Sequence, residues 1–368
     1  MAQTLLFKVS FRTGVHIGTR GIGVEEAYDR HVPSDTLYGA ILSALVTLHG
    51  IKYLDPFKIR KAPFLISSMF PTIRGEILLV PKPMKLPFVV FDTSLTLKGT
   101  EITKRASMFN RLRKCEFIDM DFIRKLCNGI LISKLMEQND KEDKEVVVEM
   151  EDGSRFRIIE ISQIKILIEE KYVEKVGSVE IRSVEKRVRN ALDRVTRASN
   201  IYYAKIVHFH EPMYFLIHII DERIHGIETY ELIKSTIKYL GDKGLGGERT
   251  LGHGRFEVLK IEEVEVPEYK NKGGGLLCMG LYAPSNEDWN RLDLDETFYE
   301  VESRGGWSQY PPSPRSIVHA FKEGSVIVLT SPYERISHEK LGTILVESTG
   351  VIRVYKPFMI RIPKKLIR

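Results

Sequence analysis

Five glycines fall within residues 244–254, in the run Gly244-Leu245-Gly246-Gly247-Glu248-Arg249-Thr250-Leu251-Gly252-His253-Gly254-Arg255-Phe256. Glycine accepts positive φ and lets a ligand approach the main chain closely. Backbone N–H groups exposed in such a loop, with Lys243, Arg249 and Arg255 beside them, suit a phosphodiester backbone. The order of elements around the loop excludes a nucleotide-cofactor site, which runs strand, glycine loop, helix. Here the helical spacing of Tyr230, Ile233, Ile237 and Leu240 comes first, and the strand 255–266 follows. The bland alternative is a hairpin whose glycines serve only as turns.

Two histidines lie in glycine-bearing loops: His16 in Gly14-Val15-His16-Ile17-Gly18, and His253 in the run above. Each could act as a general base for RNA cleavage, or stack on a base or donate to a phosphate. Asp29 and Asp35 are the nearby loop carboxylates, and Asp35 reads as a helix-start residue rather than a catalyst. His208 and His210, two residues apart on one strand, have no third metal ligand near them in sequence and read as a structural pair. No zincin, nucleophile-elbow or phosphate-loop lysine motif is present, and no cofactor or metal is expected. Aromatics accompany the basic elements: Tyr202, Tyr203, Phe256, and Trp307 in Arg304-Gly305-Gly306-Trp307. Trp307, after two glycines, is the better stacking candidate.

The elements that must hold these residues follow from periodicity. Residues 4–12 alternate as a strand, with Leu5, Phe7, Val9 and Phe11 on one face. A helix from about 35 to 48 carries Leu37, Ile41, Leu45 and Leu48, with Ser34 as its N-cap. Strands follow at 64–69 and 76–80, with a second helix at 229–240 and the strand 255–266, while two more strands, 201–209 and 213–220, return the chain to the sheet after an insertion. The resulting β-α-β-β-α-β order is the ferredoxin-like, RNA-recognition type of α+β fold. It is interrupted by an insertion, about 82–200, with an amphipathic helix at 121–136, a hairpin turning at Asp152-Gly153, and a basic arm, 182–197. The glycines of 271–275 mark a linker between a first domain, 1–270, and a second, smaller α+β domain, 276–368. In the first domain, His16, Arg20, Ser34 and Asp35 are expected beside the glycine loop on one RNA-facing surface.

With 368 residues, 43% hydrophobic and 28% charged, the chain has the composition of a globular protein long enough for two domains. The net charge is only +6, but basic residues cluster: five without an acid in 104–114, six against two acids in 182–197, six without an acid in 353–368. Such clusters fit a polyanion partner, or are solvated faces. Three scattered cysteines, no signal-peptide pattern and no apolar run of spanning length give the expectation of a cytoplasmic protein with no membrane partner. Four glutamines among abundant Lys, Arg, Glu and Ile hint at a thermophile.

The helix, glycine loop and strand around residues 244–256 resemble the signature of the repeat-associated mysterious proteins (RAMPs) of CRISPR systems. Four further features resemble one branch, the subunit of type III-A (Csm) complexes that caps the 5′ end of the crRNA. They are Val15-His16-Ile17-Gly18; Pro33-Ser34-Asp35-Thr36-Leu37-Tyr38-Gly39-Ala40; Arg189-Asn190-Ala191-Leu192-Asp193-Arg194-Val195-Thr196-Arg197-Ala198-Ser199; and Arg304-Gly305-Gly306-Trp307 with Lys322-Glu323-Gly324-Ser325-Val326. The resemblance implies two ferredoxin-like domains, binding of the repeat-derived 5′ tag of the crRNA, docking to a large polymerase-like subunit and contact with a backbone RAMP subunit of the filament. It implies no catalytic role. The RNA-binding residues then expected are His16, Arg20, Ser34, Lys243, Gly244, Gly246, Gly247, Arg249, Gly252, His253, Gly254 and Arg255, with Arg189, Arg194 and Arg197 of the arm, and Arg304 and Trp307.

Two enzymatic alternatives stay open on the residues alone. One is a metal-independent, repeat-processing RAMP endoribonuclease using His16 or His253. The other is a target-slicing backbone RAMP subunit using Asp29. Pro33-Ser34-Asp35-Thr36-Leu37 departs from the Pro-Gly-Ser-Ser-Leu-Lys-Gly type of helix start of slicing subunits.

Overall fold

The computed structural model describes residues 3–18, 29–84, 107–140, 143–177, 179–192, 199–271, 274–309, 312–331, 333 and 336–364, an α+β arrangement around one large sheet. Strand β1 (Gln3–Phe11) buries Leu5, Phe7 and Val9, as its alternation requires, and Phe7 stacks on Phe215 with ring centroids 5.2 Å apart. Helix α1 (Ser34–His49) buries Leu37, Tyr38, Ile41 and Leu45, one turn apart. Strands β2 (Phe64–Ile66), β3 (Phe70–Ile73) and β4 (Ile77–Pro81) follow.

The next stretch contributes β5 (Phe117–Asp119), α2 (Met120–Cys127), β6 (Ile132–Asp140), β7 (Asp143–Met150), β8 (Arg155–Ile161), β9 (Ile164–Glu169) and α3 (Glu170–Val176). A long hairpin of β10 (Arg182–Leu192) and β11 (Ser199–Phe209) leads to β12 (Met213–Ile219) and the small ribbon β13 (Arg223–Ile224) and β14 (Ile227–Glu228). Helix α4 (Thr229–Lys243), which packs on α1, and β15 (Phe256–Glu263) complete the first part of the chain. The main sheet runs β15-β1-β12-β3-β4-β5-β9-β8-β7-β6, with β2 also paired to β12. Its pairs are antiparallel except β5 with β9.

The insertion joins the fold: β5 pairs with β4 (Leu79 opposite Asp119), so strands 117–169 extend the main sheet. One expectation is corrected here. The helix expected over 121–136 ends at Cys127, because Gly129 takes φ 82° and residues 132–140 pair with β7. Their apolar spacing suits either element, and the partner strand decides in favour of β.

The second half is built of small sheets. Gly274–Cys278 lies between Val326–Ile327 and Met359–Pro363, and two-stranded ribbons surround it. Among the described residues its helical content is short: Asn286–Trp289 and the 3-10 turn His338–Lys340. One hydrophobic core runs through both halves, with Leu277, Met279, Phe358 and Ile360 joined to Phe64, Ile66 and Met69. Main-chain bonds cross the seam: Ser68 N donates to Met279 O (2.7 Å) and Phe358 N to Ile66 O (3.0 Å).

Candidate nucleic-acid interface

Helix α4 packs so closely on β15 that a Cβ on Gly241 would lie 2.4 Å from Phe256 O. It ends at Gly244 (φ 89°), and the loop turns back under the segment that leaves β1. Gly247 N donates to His16 O (2.8 Å), Gly254 N to Gly14 O (2.9 Å) and Leu245 N to Gly254 O (2.9 Å). Gly244, Leu251, Gly252 and Arg255 also donate their N–H groups within the protein. The expected cradle of free N–H groups is therefore largely closed by the chain's own carbonyls.

The glycines have the same explanation. A Cβ on Gly254 would stand 1.9 Å from Leu245 O, on Gly246 2.4 Å from His16 O, on Gly244 2.5 Å from His253 O, and on Gly247 2.8 Å from the His16 ring. Only at Gly252, in the left-handed region at φ 85°, does a Cβ meet open space. What the loop turns outward is Lys243, Thr250, Leu251 and Arg255, with Arg249 half-buried.

The histidines are anchored by one nitrogen each. His16 Nδ1 lies 2.9 Å from Lys205 O and His253 Nδ1 3.2 Å from Gly14 O. A carbonyl only accepts, so Nδ1 carries the proton in both rings and Nε2 is the acceptor of the neutral form. His253 is buried, with Nε2 3.5 Å from Arg189 Nη2, whereas His16 is half-buried.

Arg189 reaches from the hairpin to Glu248 in the glycine loop, Nη2 to Oε2 at 3.0 Å and Nε to Oε1 at 3.3 Å, and so clamps arm to loop. Asp29 is held between Lys205 Nζ (2.8 Å) and Arg182 Nη1 (3.1 Å). Burial pushes its carboxyl up, but the Lys205 hydrogen bond and the Arg182 charge outweigh that and leave its pKa below the ordinary carboxylate value. A carboxylate pinned between two cations is a poor metal ligand or base.

Ser34 and Arg304 are not on this surface. Ser34 is the first residue of α1, not its cap; Pro33 stands at the cap position with no side-chain bond. The Ser34 hydroxyl instead accepts from Leu281 N (2.9 Å) across the seam, where a Cβ on Gly280 would be 2.8 Å from it. Arg304, only 2% exposed, donates to both Asp35 oxygens (3.0 Å each), to Thr36 Oγ1 (3.0 Å) and to Glu302 (3.3 Å). Asp35 thus serves α1 and the seam together.

A second buried polar group joins the halves. Glu323 accepts from Ser68 Oγ and lies 3.3 Å from His31 Nε2. Burial would raise the Glu323 carboxyl, but His31 and Ser68 hold it down at about 2.

Arg20, Arg194 and Arg197 lie outside the described residues. Trp307 lies on the short strand Trp307–Gln309, paired with Pro312–Pro314, and its side chain is outside the described set. His208 pairs with Glu185 (3.2 Å) and His210 with Ser183 Oγ (2.7 Å); among the described residues no group of three His, Cys, Asp or Glu is arranged for a metal. Two groups were not legible in the sequence, Glu248 with Arg189 and Asp29 with Lys205 and Arg182, because the partners are distant in the chain. No helix among the described residues is long and apolar enough to cross a membrane.

No family model matches the chain. It is similar to the "CRISPR system Cms protein Csm4" of Thermococcus onnurineus, 27% identical over 305 residues that cover 81% of this chain and 82% of that protein. The same-named protein of Methanocaldococcus jannaschii is 22% identical over 344 residues, 88% of this chain and 85% of that one. Among solved structures, the crystal structure of a Csm3–Csm4 subcomplex of the type III-A CRISPR-Cas interference complex superposes with a TM-score of 0.59 at 15% identity, covering 97% of this chain and 98% of that chain. Similarity along most of the length and a shared fold bear out the resemblance carried by the motifs: over more than four fifths of its length the chain is similar to the Csm4 proteins of CRISPR systems.

Proposed function

We propose that the chain is a non-catalytic, RNA-binding subunit of a type III-A effector complex, holding the 5′ tag of the crRNA and docking to a large polymerase-like subunit and a backbone RAMP subunit. The observation that carries this reading is the similarity to Csm4 proteins over more than four fifths of both chains, with a fold like that of the Csm4-containing subcomplex. The order β15-β1-β12-β3, with α1 and α4 packed on each other, supports a ferredoxin-like first domain. We read residues 1–270 as that domain and 276–368 as a second one.

The RNA-facing surface is drawn from the outward Lys243 and Arg255 of the glycine loop, the half-buried Arg249 and the open approach at Gly252, with the accepting Nε2 of His16 beside them. The clamp of Arg189 on Glu248 sets the arm against this surface. Asp29, held by Lys205 and Arg182, speaks against the slicing role, and His253, buried against Arg189, against its own use as a base in the repeat-processing role.

The test is salt-dependent binding of tag RNA to the assembled complex. Removing Lys243 and Arg255 together should leave the melting temperature unchanged and reduce the slope of log K against log salt by about two. An unchanged slope would exclude this surface. Cleavage of repeat RNA without Mg²⁺, or of target RNA with it, by the purified chain would overturn the non-catalytic reading.

A further inference from the structure

A cleft of about 950 Å³ opens between the two halves and shares no lining residue with the glycine loop. One wall is the segment 265–268, anchored at both ends: Val264 N donates to Thr4 O (2.9 Å) and Tyr269 N to Arg361 O (2.9 Å). The floor carries three rings in mutual contact, His218 to His338 at 5.6 Å, His338 to Phe358 at 5.5 Å and His218 to Phe358 at 5.9 Å. Leu276, Ile336 and Met359 add apolar surface. The space is large enough to seat a segment of a partner, and its lining mixes apolar and polar groups in about equal measure.

Two observations say what fits. The nitrogens of His218 are taken by Thr4 Oγ1 (2.9 Å) and Glu339 Oε1 (3.2 Å), but His338 Nε2 is buried without a hydrogen-bond partner among the described residues. A buried polar atom left without a partner is unfavourable, and an occupant that supplies the bond relieves it. Burial, with His218 and Arg361 nearby, pushes the His338 pKa down to about 3, so the ring is neutral at physiological pH. The rim carries more acid than base: Glu263, Glu265 and Glu268 are exposed beside Lys270, and Glu265 and Glu268 have no ion-pair partner among the described residues, on a chain of net charge +6. Such a rim repels phosphate and attracts Lys or Arg.

We propose that this cleft receives an apolar segment bearing Lys or Arg from a protein subunit of the complex, not RNA. The inference rests on the assembly reading above. It adds a docking surface separate from the RNA-facing one.

The experiment uses the full chain carrying a photo-cross-linking amino acid in place of Lys270, at the cleft rim, assembled with the large and backbone subunits and crRNA. Irradiation should give an adduct to one protein subunit, mapping to an apolar stretch with a Lys or Arg. An adduct to RNA, or no adduct in the assembled complex, overturns the inference and leaves the assembly reading standing. Failure of the unmodified chain to assemble overturns both. In parallel, Glu265→Lys with Glu268→Lys should weaken binding of that subunit by about tenfold or more, while tag-RNA affinity and melting temperature hold. Unchanged subunit affinity counts against the cleft.

Discussion

Replacing Arg304 by alanine separates a seam residue from an RNA contact. Its guanidinium is 3% exposed and Asp35 is 10% exposed, so both charges have left water. Two charge-assisted bonds join them, with further bonds to Thr36 and Glu302. Arg304→Ala strands the Asp35 carboxylate at the start of α1, and breaking a buried pair in this way costs about 3–5 kcal/mol. Asp35→Asn, which keeps an acceptor for the guanidinium, should cost less, about 1–3 kcal/mol. The double substitution Arg304→Met with Asp35→Leu removes both charges and should recover much of the loss. Urea unfolding of the three variants and the parent tests this order of losses. RNA affinity per folded molecule should hold for Arg304→Ala. If that variant unfolds like the parent and instead loses RNA binding, the seam assignment is wrong and Arg304 is a contact after all.

Gly254→Ala should destabilise more than Gly252→Ala. Both have positive φ, a strain of roughly 1–2 kcal/mol, but only at Gly254 does the new methyl overlap a carbonyl, adding ~1–3 kcal/mol. Equal unfolding midpoints would refute the packing account of the loop. Asp119 caps α2, with Oδ1 accepting from Asp121 N (2.9 Å), yet burial pushes its pKa up from 3.8 to about 6. The folded state then holds the proton more tightly than the unfolded one, so stability falls as pH rises from about 4 through 6. Asp119→Asn, which does not titrate and still caps, should gain on the parent over that interval by up to about 3 kcal/mol; a pH-independent difference would sink the assignment.

Much of the fold was determined locally. The alternation of Leu5, Phe7 and Val9, the helical spacing of Leu37, Ile41 and Leu45, and the glycine loop between a helix and a strand depend on neighbours a few residues away. Backbone geometry turns such periods into burial directly. The nucleic-acid reading came the same way, from motifs that are short and contiguous.

Only the tertiary structure decided what those motifs do. Arg304 lies 269 residues from Asp35, and Ser34 lies 247 from Leu281. Nothing in the spacing of either residue says whether it meets solvent or a second half of the chain. The glycines look free to receive a phosphate, but Gly254 and Gly246 are occupied by the carbonyls of Leu245 and His16. Residues 132–140 carry an apolar pattern that a helix or a strand could use, and pairing with β7 resolved it. Long-range partners are set by how the whole sheet closes, and a single sequence records the residues but not the pairs.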